Sequence, residues 1–406
     1  MLFLQDKIYL LKGKVQHYAW GGFDYMPHWL NIENNERKPY AEYWMGAHPS
    51  APSEIETEHG SMQLYDSIKK NPEELIGKKV YDVFGELPYL FKVQDVHEML
   101  SIQVHPSKTE AAKGFEAEDA AGISINAPYR NYKDKNHKPE VTVALSEFWL
   151  LHGFLQKEKL LQTLNDIPAF QNLRKIFEQE DYKGLYKHVM EMPQQEVNNM
   201  LKPLVALELE RKNNNLLDKS QPGWWVAKYY AGDKKINDID RGIFSIYFFN
   251  IVKINPGEAV FQAAGVPHAY LEGQNVELMA NSDNVLRGGL TPKHIDIPEL
   301  LKHISFEGIE PNIMRGEWLP NGEKNYPCPV SDFGINVINL TGNNKIAAAS
   351  ASLEIIVVLN GEIFIEGTGK ILAVKKGQAV AILPLEQYSI TSPNGGLAYK
   401  AYIPQG

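Results

Sequence analysis

The sequence has almost no cysteine and no excess of positive charge. Cys328 is the only cysteine among 406 residues, so an intramolecular disulfide is impossible and a reducing, cytoplasmic location is expected. The net charge is −9 at pH 7, and the isoelectric point is near 5.8. A chain of this charge lacks the basic surface that neutralises a phosphate backbone, so nucleic acid is not an expected partner.

Long apolar runs are also missing. No stretch approaches the roughly 20 apolar residues that a membrane-spanning helix needs. The first residues also lack the basic segment, apolar core and cleavage site of a secretory leader. We therefore expect an intracellular protein that does not insert into membranes. The sequence predicts no particular oligomeric state.

Hydrophobic residues, at 44% of the chain, are sufficient for packed cores, and the length favours two or three domains. Short β-type runs broken by Gly, Pro and Asn fill the first part of the chain and return after residue 240, with a strand predicted at residues 244–252. Between these parts, apolar residues recur at helical spacing. We predict a mainly β fold with a catalytic domain formed by residues 1–152 and 240–325, an α-helical insertion domain at 153–239, and a C-terminal domain at 326–406.

A weak internal repeat refines this prediction. Residues 256–268 and 376–384 each contain a Gly turn, a short strand and a Pro. Such units are typical of cupin (jelly-roll) barrels, whose mouths hold small ligands. We predict two such barrels, the second with a hairpin turning at Asn360-Gly361. No histidine follows His303, so only the first barrel can bind a metal through imidazole.

Three separate segments contain residues that can bind a metal. Gln103 and His105 are two positions apart, so in an extended strand they share a face. Glu140 opens an apolar run, and His268 follows a proline in an apolar setting. Two imidazoles, a carboxylate and an amide oxygen suit a zinc-like ion with one position left open.

Taken singly, each of these residues also has a structural explanation. Gln103 and His105 also fit a solvated strand face, Glu140 an exposed strand end, and His268 a hydrogen-bonded core histidine. The prediction of a metal site therefore depends on the whole set.

Two cations follow the last predicted ligand. Arg287 has a planar fork that matches a phosphate or an oxyanion, and Lys293 provides a compact charge. Glycines 288 and 289 allow the backbone to approach a ligand closely. A charged surface loop would look similar, but a metal beside fixed cations indicates a phosphorylated substrate.

These segments resemble a known family. Residues 100–108, 131–140 and 267–293 are similar to long motifs of the type I mannose-6-phosphate isomerases. Further likeness lies in residues 87–93 and in two N-terminal segments. The resemblance covers most of the first 155 residues and about 250–300. Residues 265–266 and 151–152 depart from the family pattern, and the last hundred residues match only in character.

The resemblance implies an aldose-ketose isomerase that interconverts mannose 6-phosphate and fructose 6-phosphate through an enediol, with one zinc ion per chain. It also implies a helical insertion and a second cupin barrel. Residue by residue, it assigns the zinc ligands as Gln103, His105, Glu140 and His268, a catalytic arginine as Arg287, and further active-site positions as Lys138, Glu277 and Lys293.

Three points stay open at this stage. The general base is Glu277, Lys138 or a metal-bound water, and Lys293 together with Ser101 is predicted to bind the substrate phosphate. A metal-dependent cupin oxygenase and a non-catalytic sugar-binding cupin are the alternative functions. The helical insertion is predicted to form a wall or lid and to supply no metal ligand.

Overall fold

Strands predominate in the computed structural model, which describes residues 6–58, 60–232, 237–342 and 344–405. Strand makes up 33% of the described residues and helix 29%, so the predicted mainly β class with a helical segment is confirmed. The described strands form two antiparallel sheets, one of ten strands and one of twelve. In the described residues no helix has both the length and the apolar character that crossing a bilayer requires.

Every predicted metal ligand lies in the ten-stranded sheet or directly beside one of its strands. The longest strand of this sheet, β12 (His268–Ala280), pairs with four others and brings distant parts of the chain together. The strands are β2 Lys14–Gln16, β3 Glu42–Gly46, β6 Tyr89–Val96, β7 Ile102–Val104, β8 Glu140–Ala144, β9 Phe148–Phe154, β10 Phe249–Ile254, β11 Ala259–Gln262, β12 His268–Ala280 and β13 Leu286–Gly289.

The twelve-stranded sheet joins the two ends of the chain. Strands from the first 63 residues pair with strands from the last 90, whereas the predicted domains separate these parts, and the domain boundaries stay a prediction. The strands are β1 Ile8–Lys12, β4 Glu54–Thr57, β5 Gly60–Gln63, β14 Glu317–Trp318, β15 Lys324–Tyr326, β16 Gly334–Leu340, β17 Lys345–Ala349, β18 Glu354–Gly367, β19 Lys370–Lys375, β20 Ala379–Ile382, β21 Gln387–Thr391 and β22 Gly396–Tyr402.

One apolar core lies between the two sheets and contains side chains of both, such as Phe91 and Ile355. A second core joins the helices between β9 and β10 to Ile102, Val104 and Leu286. The helices therefore pack behind the strands that carry the polar site residues. They are α1 Tyr25–Leu30, α2 Leu64–Lys70, α3 Pro72–Ile76, α4 Lys78–Phe84, α5 Lys108–Ala120, α6 Lys157–Asp166, α7 Gln171–Glu191, α8 Gln194–Asn213, α9 Pro222–Tyr229, α10 Gly242–Phe248 and α11 Ile297–His303, with a 3₁₀ turn at Pro168–Phe170.

Two local predictions are wrong. The predicted hairpin at Asn360-Gly361 lies inside β18, where the strand pairing is irregular between Val358 and Asn360 and Gly361 has φ 73°. The chain reverses later, between β18 and β19 at residues 368–369. A glycine with positive φ suits a bulge as well as a turn, so the dipeptide alone does not distinguish the two.

The predicted strand at residues 244–252 begins instead as helix α10 and becomes strand only at Phe249. Every residue of α10 is buried. A fully buried helix has no polar face, and its sequence therefore shows no helical periodicity that would separate it from a buried strand.

Candidate metal centre

His105, Glu140 and His268 converge in the structure. Nε2 of His105 lies 3.4 Å from Oε1 of Glu140, and Nε2 of His268 lies 3.3 Å from Oε2 of the same carboxylate. The three side chains are buried, and their potential ligand atoms lie within 4.8 Å of one another. Three donors at these separations can share one divalent ion. Among the described residues, no member of this group comes from the helical segment 153–239.

Both imidazoles are oriented by backbone carbonyls. Nδ1 of His105 lies 2.8 Å from the carbonyl oxygen of Asn284, and Nδ1 of His268 lies 2.9 Å from that of Val266. A carbonyl only accepts, so each Nδ1 carries a proton, and in the neutral form of each ring the lone pair is on Nε2. Nε2 of His105 is fully buried without a hydrogen-bond partner. A buried lone pair without a partner is costly unless a ligand uses it, and the group therefore fits a metal.

The protonation states also suit a metal. Burial, reinforced by the charge of Lys138, lowers the pKa of His105 to about 4, so the ring is neutral at physiological pH. Burial alone would raise the pKa of Glu140, but the charge of Lys138 outweighs it and holds that pKa well below its usual range. Nζ of Lys138 donates a hydrogen bond of 2.6 Å to Glu140. Neutral imidazoles and an ionised carboxylate are the forms that bind metal.

Gln103 lies next to this group in the sheet. It pairs with His268 on one side and with Arg287 on the other. Residues directly opposite each other on neighbouring strands point to the same face, so the three side chains share one face. Ile102 and Val104 point the other way, into the helical core, as the alternation of the sequence predicts.

A second buried ion-pair cluster lies on the neighbouring strands. Nζ of Lys92 is 2.7 Å from Oε2 of Glu277 and 3.8 Å from Oε1 of Glu42. Tyr270 donates a 2.8 Å hydrogen bond to the other oxygen of Glu277, and Gln94 donates one of 3.2 Å to Oε2. Burial raises the pKa of Glu277 although Lys92 opposes it.

Arg287 lies in β13, and Lys293 lies in the loop after it. Burial lowers the pKa of both, and the charge of Arg287 lowers that of Lys293 further. The two cations therefore act on each other and would both gain from a bound anion. Ser101 is half-buried immediately before β7, the strand that pairs with β13.

Comparison with known proteins places this geometry in a family. A model of the phosphomannose isomerase type I catalytic domain matches residues 8–157. The mannose-6-phosphate isomerase of Salmonella typhimurium is 37% identical over 399 residues, covering 96% of this chain and 98% of that protein. The chain belongs to the type I phosphomannose isomerase family. The mannose-6-phosphate isomerase of Macaca fascicularis is 32% identical, with 97% of this chain and 93% of that protein covered.

A solved structure agrees with the assignment. The mannose 6-phosphate isomerase of Salmonella typhimurium, crystallised with fructose 6-phosphate and zinc, superposes with a TM-score of 0.87 at 34% identity. The match covers 98% of this chain and all of that one. The structural match therefore includes most of the last hundred residues, although their sequence resembles the family only in character.

Sequence reasoning gave no role to several polar residues of this phosphomannose isomerase family member. Lys92 and Gln94 alternate with apolar residues along β6, and this polar alternation inside a buried strand is the signal that could have revealed them.

His152 lies directly opposite His268, and its Nδ1 is 2.6 Å from Oε1 of Gln262. Burial lowers the pKa of His152 to about 4. His152 belongs to a segment that departs from the family pattern, and no spacing rule connects it with Gln262.

Proposed function

We propose that this protein interconverts mannose 6-phosphate and fructose 6-phosphate. The observation that carries the proposal is the convergence of two imidazoles and one carboxylate, those of His105, His268 and Glu140, on one point in the sheet. Two cations, Arg287 and Lys293, lie on the adjoining strand and loop. Burial lowers the pKa of both side chains. We call residues 287–293 the anion-binding loop. A metal centre beside this loop matches a sugar phosphate better than a neutral sugar.

His105, Glu140 and His268 would hold one zinc ion, and Gln103 is the proposed fourth ligand because it lies opposite His268. When bound, zinc would polarise the oxygens at C1 and C2 of the sugar. The carbonyl groups behind both imidazoles keep each ring turned toward Glu140, which prepares the site before the ion arrives.

The cations have separate proposed roles. Arg287 stabilises the negative charge that develops on the enediol oxygens, because it shares a face with Gln103. Lys293, with Ser101, binds the phosphate. A phosphate contact is made equally in the ground state and the transition state, so it contributes to affinity more than to kcat.

Glu277 is the proposed base that moves the proton between C1 and C2. It is buried, and its raised pKa brings it nearer to the operating pH, where a general base is most effective. Lys138 is the proposed partner that keeps Glu140 ionised, since its ammonium is 2.6 Å from that carboxylate.

Glu277→Gln tests this assignment. The amide keeps the size of the side chain but cannot take a proton, so kcat should fall by about 100-fold or more, the usual scale for a general base. Zinc content should stay at the wild-type level. Glu317→Gln, at an exposed position on β14, is the control and should leave kcat unchanged. A near-normal kcat in Glu277→Gln would exclude Glu277 as the base and leave Lys138 or a metal-bound water.

Metal removal tests the function as a whole. The purified protein should contain zinc and turn over mannose 6-phosphate, lose that activity after dialysis against a chelator, and regain it with added zinc. Tight zinc binding without turnover would instead indicate a sugar-binding cupin. Iron-dependent oxygen consumption without isomerisation would indicate an oxygenase.

A cytoplasmic location belongs to the same proposal and depends on the single cysteine, Cys328. The net charge of −9 is the reason why no nucleic-acid partner is proposed.

A further inference from the structure

The carboxylate of Asp240 accepts hydrogen bonds from three separate parts of the chain. Its Oδ1 accepts from the backbone N–H of Gly242, at 2.7 Å, and from that of Leu290, at 2.8 Å. Its Oδ2 accepts from the backbone N–H of Thr291 at 3.0 Å and from the hydroxyl of Tyr229 at 3.4 Å. One side chain before α10 thus ties the start of that helix to the chain that follows β13.

The backbones meet closely at the same point. A Cβ on Gly242 would lie 2.6 Å from the backbone nitrogen of Leu290, and a Cβ on Gly289 would overlap Gly242. Leu290 has φ 55°, a left-handed conformation that a leucine rarely adopts. Such a conformation persists only where surrounding contacts determine it. The hydrogen bonds that the backbone N–H groups of Leu290 and Thr291 donate to Asp240 are contacts of that kind.

The tied segment connects the two cations of the proposed active site. Arg287 lies three residues before Leu290, and an irregularity in the pairing with β7 falls between Arg287 and Gly289. On the other side, the backbone N–H of Lys293 donates 3.2 Å to Oγ1 of Thr291, the residue whose own N–H is bonded to Asp240. A shift at Leu290 or Thr291 would therefore move both cations relative to the sheet.

We infer that Asp240 is a positioning residue, which holds the loop so that Arg287 and Lys293 face a single bound sugar phosphate. The inference rests on the proposed function and deepens it. It gives the helical segment a specific role, since Tyr229 of that segment and Leu290 of the anion-binding loop both donate hydrogen bonds to the carboxylate of Asp240. Asp240 acts through the backbone of the loop, by accepting hydrogen bonds from Leu290 and Thr291.

Asp240→Asn is the main test. Both oxygens of Asp240 accept from backbone N–H groups, so an amide must turn its NH₂ toward at least one donor. We expect the Kd of the zinc-loaded enzyme for inorganic phosphate, measured by calorimetry, to rise by about 10-fold, the usual scale for losing a hydrogen bond to a charged group. The KM for mannose 6-phosphate should rise in parallel while zinc content stays normal.

The control is Asp238→Asn, two positions away. Asp238 is exposed and accepts a 2.9 Å hydrogen bond from Asn198, not from the loop, so this variant should keep the wild-type Kd and KM. A merely destabilising effect of Asp240→Asn would reduce the amount of active enzyme but leave Kd and KM of the folded fraction unchanged. That result would overturn the inference.

Thr291→Val covers the case in which Asp240→Asn does not fold. It removes the hydroxyl that accepts from Lys293 but keeps the backbone N–H bonded to Asp240, and the phosphate Kd should rise by roughly 3-fold or more. An unchanged Kd would contradict the inferred connection between Asp240 and Lys293. If wild-type enzyme binds phosphate but does not isomerise mannose 6-phosphate, the proposed function fails while the role of Asp240 in anion binding is still measured.

Discussion

Replacing His105 or His268 by alanine is expected to reduce isomerase activity by at least roughly 1000-fold, because loss of the ion removes several kcal/mol of transition-state stabilisation. Zinc bound per chain, measured by elemental analysis, should fall with it. Each variant should still fold, since Lys138 remains 2.6 Å from Glu140 and keeps that buried carboxylate paired.

His188→Ala is the matched control. His188 is exposed on α7 and lies outside the group of three converging ligands, so its loss should change neither zinc content nor activity. Circular dichroism should show the same fold in all three variants. Full activity of His105→Ala or His268→Ala at native zinc content would contradict the proposed metal centre.

Arg287→Ala is expected to lower kcat by at least roughly 100-fold, the usual scale for losing one electrostatic donor that stabilises charge developing in the transition state. Zinc binding should persist, because Arg287 is not among the proposed ligands. Arg287→Lys should restore the activity only in part, since an ammonium lacks the planar fork. Steady-state kinetics with mannose 6-phosphate and zinc analysis are the measurements.

The kinetic constants distinguish two roles for this arginine. If Arg287 mainly anchors the phosphate, the loss will appear chiefly in KM. Arg315→Ala is the control, because its side chain is 84% exposed and pairs only loosely, at 3.4 Å, with Glu258. Near-normal kcat and KM in Arg287→Ala would show that Arg287 is a surface charge without a catalytic role.

The three residues that converge in the structure can be predicted from the sequence for a physical reason. A metal needs particular side chains, and His105, Glu140 and His268 are chemically distinctive wherever they occur. The surrounding polar network is harder to predict, because the pairing of Lys92 with Glu277 depends on strand register rather than on residue type. The connection between Asp240 and the loop carries no local signal, since the backbone groups of Leu290 and Thr291 lie 50 and 51 positions later.

The fold shows the same division. Mainly β content and a helical segment follow from periodicity, which is a local property. The predictions of a hairpin at Asn360-Gly361 and of a strand at residues 244–252 are wrong because bulges and turns use overlapping residue types, as do buried helices and buried strands. The pairing of N-terminal with C-terminal strands is set by packing of a shared core, which no short window of sequence contains.

That pairing also sets the order in which the enzyme can be completed during synthesis. Ile8 of β1 pairs with Ile382 of β20, almost the whole length of the chain away. At about 5–20 residues per second, roughly 20 to 70 seconds separate the emergence of the two strands from the ribosome. Throughout this interval β1 presents an unpaired edge, which is a hazard for association with other nascent chains. A truncated transcript that lacks the last residues would therefore yield an aggregating product, although every proposed zinc ligand would already have been translated.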